Sequence, residues 1–268
     1  MIDFATLMRV DATADSGRNR PIRGGIIAVT DDRAEVYIKP SGWKELNDLS
    51  VVREYIAVCI AGLLGLPVCK PFWVECPTEL HDAQPLEGYQ KTLGECTWPA
   101  FATEHAGTQW GNWLAREAID PDCLQLALAI FAFDAFLDNP DRRGANPNLL
   151  VKGKEMRIID HELAFAFTSP LLLFNPAPPW QANSLDWITN GDRQHILYPS
   201  LMAFNDIDVE SVRQSWASLK NDEIDAILAG LPATFGSVIS PATRAIQRVK
   251  DIRDNIDGCI AELERILS

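Results

Sequence analysis

The stretch from Pro121 to Leu137 constrains this chain more than any other. Leu124, Leu128, Ile130, Phe131 and Ala135 recur so densely that a helix through it has almost no polar face. A helix that is apolar all round must be buried, so the rest of the chain has to wrap around it. At 268 residues there is enough chain for one compact unit, or for two small lobes around a cleft. Hydrophobic residues at 47% and charged residues at 23% suit a soluble globular enzyme. No apolar run reaches bilayer length; Leu171-Leu172-Leu173-Phe174 is far too short.

The two sides of this helix differ in pattern. Before it, residues 1–15 read as a polar lead-in. Ile26-Ile27-Ala28-Val29 and Ala34-Glu35-Val36-Tyr37-Ile38 predict a hairpin turning at Thr30-Asp31-Asp32-Arg33. Val52, Ile56, Ile60 and Leu63 fall at helical spacing, which predicts a helix over 49–64 with Ser50 as N-cap. Strands are expected at 68–74 and 88–92. After Gly94 the pattern turns helical, at 110–117, 121–137, 206–218, 221–229 and 240–267. A short hairpin (149–151 and 156–159) interrupts it, and an irregular Pro-rich stretch spans 166–190. In 240–267, Ile246, Val249, Ile252, Ile256, Ile260, Leu263 and Leu267 form an apolar stripe. It reads as packing within the chain, with a dimer seam as the other reading. The expected fold class is α+β, with a β-rich part over 1–93 and a helical part over 94–268. A cleft between two such parts is a usual ligand site.

Charge and cysteine content narrow the partners. A net charge of −13 makes a poor general binder of nucleic acid or of anionic membrane. None of the six cysteines forms a C-x-x-C pair, so buried thiols are expected rather than a zinc site. Met1-Ile2-Asp3-Phe4 lacks the basic-then-apolar order of a secretory signal, and a cytoplasmic location is expected. His81, His105, His161 and His195 are scattered and show no metal-ligand spacing. Trp98, Trp110 and Trp113 read as packing residues, with base stacking open to residues near 90–98.

The chemistry concentrates after the buried helix. Phosphoryl transfer needs a carboxylate to orient or deprotonate a hydroxyl, with oxygen ligands for Mg²⁺ close by. Asp141, followed five residues later by Asn146, supplies both in one loop. Alone this spacing is weak, because an Asx turn explains it equally well. Asp160 adds weight. It leaves a short strand 19 residues after Asp141, with a hairpin between them. In the β-rich part, Lys39 ends the run Val36-Tyr37-Ile38-Lys39, and Glu54 on the next helix is a natural partner for it. A solvated strand end and a solvated helix residue are the plainer readings of these two. The order Lys, Glu, Asp, Asn, Asp makes accident a poor explanation of all five.

These residues resemble the HipA-like kinases, in a compact form without an extra N-terminal subdomain. The resemblance rests on Asp138-Asn139-Pro140-Asp141-Arg142-Arg143-Gly144-Ala145-Asn146-Pro147-Asn148-Leu149-Leu150 and on Ile159-Asp160-His161-Glu162-Leu163-Ala164-Phe165. Looser support comes from Gly17-Arg18-Asn19-Arg20-Pro21 and from Glu54 with Leu63-Leu64-Gly65-Leu66-Pro67. It implies a two-lobed protein-kinase-like fold, similar to that of phosphatidylinositol kinases, with ATP in the cleft and Mg²⁺ as its metal. It makes Asp141 the catalytic Asp, Asn146 and Asp160 the Mg²⁺ ligands, and Lys39 the phosphate-binding Lys. It also suggests that the Gly17-Arg18-Asn19-Arg20 turn covers the phosphates, with Arg18 and Arg20 as donors, since no G-x-G-x-x-G loop is present. A protein Ser/Thr hydroxyl is the implied acceptor.

The sequence departs from the family in places. Related lipid-kinase loops read Asp-Arg-His where this chain has Asp141-Arg142-Arg143, which replaces a candidate catalytic His by a cation able to stabilise transferred charge. Thr168 and Ser169 offer hydroxyls after Asp160, most simply as loop residues. The rival readings are a nucleotide-binding pseudokinase acting as an interaction module, and a small-molecule or lipid kinase. A protein or small-molecule phosphoacceptor and a regulatory protein are the expected partners.

Overall fold

A computed structural model describes residues 2–13, 19, 21–82, 93–170 and 176–268. Five strands close into a barrel in the order β1-β2-β3-β5-β4. They are β1 (Asp3–Thr13), β2 (Ile22–Ala28), β3 (Arg33–Ser41), β4 (Pro71–Glu75) and β5 (Thr97–Glu104). All neighbours are antiparallel except β1 and β4, whose parallel pairing closes the ring. Ala5, Leu7, Ile22, Ile26, Val36, Ile38, Phe72 and Val74 point inward and make the barrel's own core. Each of these Val, Leu, Ile and Phe side chains contributes about 1.5–3 kcal/mol on burial.

Two of these strands differ from expectation. Asp3–Thr13, expected within a polar lead-in, is instead β1, the seam of the barrel. One of its two partners, β4, lies in a remote segment, so local pattern understates it. β5 was obscured by Pro99, which argues against a strand. Pro99 is tolerated where the β3–β5 register shifts between Lys39 and Ser41. β5 also lies beyond the expected division at 93/94, so the sheet runs on to Glu104. The strand expected at 88–92 lies outside the described residues. Gly24 is required by packing on β1, since a Cβ there would sit 2.6 Å from the Arg9 carbonyl oxygen.

Helix α1 (Asp48–Leu63) joins the barrel to the helical part. Its N-cap is Asn47 rather than Ser50. Asn47 has extended backbone, and its side chain accepts from the Ser50 N–H at 3.0 Å. Tyr55 packs with its ring tilted 5.0 Å from that of Trp73 of the barrel and donates its hydroxyl to the Ile227 carbonyl at 2.6 Å. Helix α2 (Leu124–Phe136) is the buried helix the sequence predicts. Residues 110–117 are not helical. Gly111–Asn112 forms β6, which pairs with β7 (Leu149–Lys152), itself paired with β8 (Glu155–Ile158). The Trp113 N–H also bonds to the Leu149 carbonyl, an alternative that outcompetes a helix containing Gly111.

Short 3₁₀ turns punctuate 166–193. After a four-residue helix at Tyr198–Leu201 come the longer helices α3 (Glu210–Ala217), α4 (Asn221–Ala229), α5 (Ile239–Asp254) and α6 (Ile256–Leu267). The single helix expected over 240–267 is broken at Asn255, whose backbone leaves the helical region. The stripe from Ile246 to Leu263 is buried within this one chain. All six cysteines are free; Cys69, Cys123 and Cys259 are buried and the other three half-buried. Among the described residues no single helix is long and apolar enough to cross a membrane.

Candidate active site

Lys39 sits near the end of β3, where alternation turns it away from Ile38 and the barrel core. Its ammonium lies 2.6 Å from Asp160 Oδ1, 3.3 Å from Glu54 Oε2 and 3.8 Å from Glu162 Oε2. Burial works against this charge, but Asp160, Glu54 and Glu162 outweigh it and raise the Lys39 pKa. Glu54 is fixed by its position on α1, with only 3% of its side chain exposed. Burial pushes its carboxyl up, yet Lys39 and the backbone N–H of His161 bring it down to about 2. A charged Glu54 therefore locks Lys39 and also grips the segment immediately after Asp160.

The second half of the site is the loop after α2. Asp141 Oδ2 accepts from Asn146 Nδ2 at 2.7 Å and from Asn148 Nδ2 at 3.1 Å. The Asn148 amide also reaches the Asp160 carbonyl oxygen at 3.4 Å, which couples the two carboxylate-bearing loops. Asp138, Asn148, Asp160 and Phe165 all have left-handed backbone, with φ of 54°, 45°, 58° and 55°. Asn and Asp tolerate this region better than other side chains. Burial, then the like charge of Asp160, raises the Asp141 pKa, against the opposing pull of Arg143 and the two Asn amides. Arg143 stands 3.9 Å from Asp141, where the lipid-kinase pattern has His.

A cavity of about 680 Å³ opens beside these groups. It is lined by Lys39, Glu54, Asn146, Asn148 and Asp160, together with Tyr37, the segment Thr103–Gly107, Trp110 and Leu150. Asp141 stands behind Asn146 and Asn148. Of the stretch 90–98, residues 90–92 lie outside the described residues. Trp110 presents its ring to the Arg157 guanidinium at 4.7 Å, and Trp113 is a core residue.

The donor set fits a hard divalent cation held jointly with phosphate. Asp160 offers a carboxylate, and Asn146 keeps its amide oxygen free of Asp141, to which it donates through nitrogen. Mg²⁺ takes few protein ligands and shares them with water and phosphate oxygens. Asp141, Asp160, Glu54 and Glu162 together outnumber Lys39 and Arg143, so an added cation is favoured electrostatically.

Gly17, Arg18 and Arg20 lie outside the described residues. Asn19 between them donates from Nδ2 to Glu162 Oε1 at 2.7 Å, tying the start of the barrel to the Asp160 segment. Glu162 was not singled out from sequence, although it lies two residues from Asp160. Burial first, and three neighbouring carboxylates, raise it to about 7 despite Lys39. Asp134 and His195 were also missed. They meet 2.9 Å apart in the core from positions far apart in the chain, a pairing no local pattern signals. For Asp134 the only clue is a lone charge inside an otherwise apolar helix. Thr168 is buried, and its hydroxyl is shared by Arg53 Nε and the Phe165 carbonyl, a structural role.

Known proteins resemble this chain to different degrees. The solved structure of a Helicobacter pylori proinflammatory kinase, CtkA, is similar at 13% identity and a TM-score of 0.46, over 99% of this chain and 98% of that one. The structure of the Golgi casein kinase with Mn/ADP bound is similar at 11% identity and a TM-score of 0.41, over 96% of this chain and 73% of that one. No curated protein matches the sequence. A family model described as HipA-like kinase matches residues 12–174. Because that span is more than half of the chain and runs from within β1 past the Asp160 segment, this protein belongs to the HipA-like kinase family.

Proposed function

We propose that this protein transfers the γ-phosphoryl group of Mg-ATP to a hydroxyl acceptor, with a protein Ser or Thr as the acceptor class that the family resemblance favours. The observation that carries this reading is one connected set of contacts: Glu54 to Lys39, Lys39 to Asp160, and Asp160 through Asn148 to Asp141, beside a cavity of nucleotide size. The barrel and the helical part then act as the two lobes around ATP. Lys39 neutralises phosphate oxygens and Glu54 holds it in place. Asp160 and Asn146 would hold Mg²⁺, whose charge would offset that on the phosphates. Asp141 accepts a hydrogen bond from the acceptor hydroxyl. The hydroxyl oxygen bonds to the γ-phosphorus as the bond to the β,γ-bridging oxygen breaks. ADP leaves with that electron pair, and the hydroxyl proton passes to Asp141. Arg143 faces the charge that develops on the transferred group.

A second reading is a nucleotide-binding module without transfer. It is favoured by the three carboxylates already facing Lys39 and by Arg143 in place of His. Incubation with γ-labelled ATP and Mg²⁺, beside Asp141→Asn, separates the two. Label on protein or released phosphate, lost in the variant, supports transfer. Tight Mg-ATP binding without label supports the module. Phosphorylation of added lipid or small alcohols, but not of protein, would reassign the acceptor.

A further inference from the structure

Asp134 lies two residues before the end of α2 and is wholly buried, as are Asn139, Arg142 and His195 around it. Its Oδ2 accepts from Arg142 Nε at 2.5 Å and pairs with His195 Nε2 at 2.9 Å. Its Oδ1 accepts from Asn139 Nδ2 at 2.6 Å and from Arg142 Nη2 at 3.3 Å. Burial opposes this charge, but Arg142 and then His195 hold the carboxyl well below the usual range. The His195 tautomer follows from its other edge. The Leu197 N–H donates to Nδ1 at 3.2 Å, so the ring proton sits on Nε2 and is donated to Asp134.

Arg142 has one edge left, and this edge leads to the site. Nη1 donates to the Asn148 carbonyl oxygen and, at 3.4 Å, to that of Ile159. The Asn148 side chain holds Asp141, and Ile159 immediately precedes Asp160. Asn148 and Asp160 are both left-handed, a backbone state that persists only where its surroundings over-determine it. A buried ion cluster is a weak source of stability compared with packed apolar side chains. What it supplies instead is fixed geometry, through a planar fork that a Lys cannot reproduce.

We infer that Asp134, acting with Arg142 and His195, is a positioning residue for phosphoryl transfer that sets the spacing between Asp141 and Asp160 without touching substrate. This rests on the phosphotransferase reading of the site. Asp134 orients Arg142, Arg142 holds the two carbonyls, and the carbonyls hold the two carboxylate-bearing loops. His195 anchors the far side of Asp134 and fastens the loop to the 188–197 segment, where the Ile196 N–H also bonds to the Arg142 carbonyl at 3.0 Å.

The test compares wild type with Arg142→Lys, His195→Gln and His195→Phe, each assayed well below its own melting temperature. In Arg142→Lys, kcat should fall about 100-fold, because small misplacement of reacting groups carries that cost. The Mg²⁺ concentration for half-maximal rate should rise about 10-fold, as for lost outer-shell partners of a metal site. ATP affinity without metal should stay within about threefold, since Lys39 and the cavity wall are untouched. His195→Gln keeps a neutral donor and should retain kcat within about threefold, while His195→Phe should lose about 10-fold. Lower melting temperatures with unchanged kcat and Mg²⁺ dependence would make the cluster a core stabiliser only and overturn the inference. If Arg142→Lys does not fold, the His195 pair decides, and equal kcat in the two overturns it. If wild type binds Mg-ATP without transfer, the function reading fails separately. Calorimetry then reads the same geometry: Arg142→Lys must lose the Mg²⁺-dependent gain in affinity, and an undiminished gain overturns the inference.

Discussion

Glu54→Gln probes the most buried contact in the site with the least change of shape. The amide keeps an acceptor for the His161 N–H but removes the charge 3.3 Å from Lys39. At an effective dielectric constant near 20, two unit charges at that distance attract by about 5 kcal/mol before desolvation is counted. A second route to the magnitude uses linkage. Glu54 is held down from 4.5 to about 2, which corresponds to about 3 kcal/mol of folded-state preference for the charged form. Because the folded pKa is depressed, that stabilisation is complete above 4.5 and is lost as pH falls toward 2. Urea unfolding at pH 7 should therefore show the variant less stable by about 3 kcal/mol, with a melting point lower by roughly 6–12 °C. Near pH 3 the gap should have narrowed markedly. A gap equal at pH 7 and pH 3, or none at either, would refute the reasoning. Transfer should also slow, by about 10–100-fold, since Lys39 is no longer held toward the phosphates.

Other expectations follow from the same geometry. Asp141→Asn should lower kcat by about 10²–10⁴-fold, as for loss of a general base, with ATP affinity retained by calorimetry. Asp160→Ala should weaken nucleotide binding about 10–100-fold with Mg²⁺ present and little without it, read by titration in the two conditions. Glu162 behaves oppositely to Glu54: its carboxyl is raised from 4.5 to about 7, so its ionisation destabilises the fold progressively as pH rises through that window. Glu162→Gln should be near neutral at pH 4 and stabilising by up to about 3 kcal/mol at pH 8, measured by denaturant unfolding at both.

Sequence alone determined the features whose causes are local. The apolar density of 121–137 dictated a buried helix, and β-rich runs on either side of turn residues dictated the β2–β3 and β7–β8 hairpins. Asp141, Asn146 and Asp160 were legible as neighbours because one loop and the hairpin that follows it carry all three. Lys39 and Glu54 were legible as a strand end and a helix face in a recognisable order. Tertiary structure decided whatever depends on remote partners. β1 is a strand because β2 and β4 pair with it, and β5 overrides the proline in its sequence by pairing on both sides. Residues 110–117 gave up a helix for bonds to β7, and the turn at Asn255 divided what periodicity ran together. Thr103 and Glu104 line the cavity because β5 runs on to Glu104. The Asp134–Arg142–His195 cluster had no local signature, because a buried carboxylate is stable only once a guanidinium and an imidazole from distant segments have been brought to it.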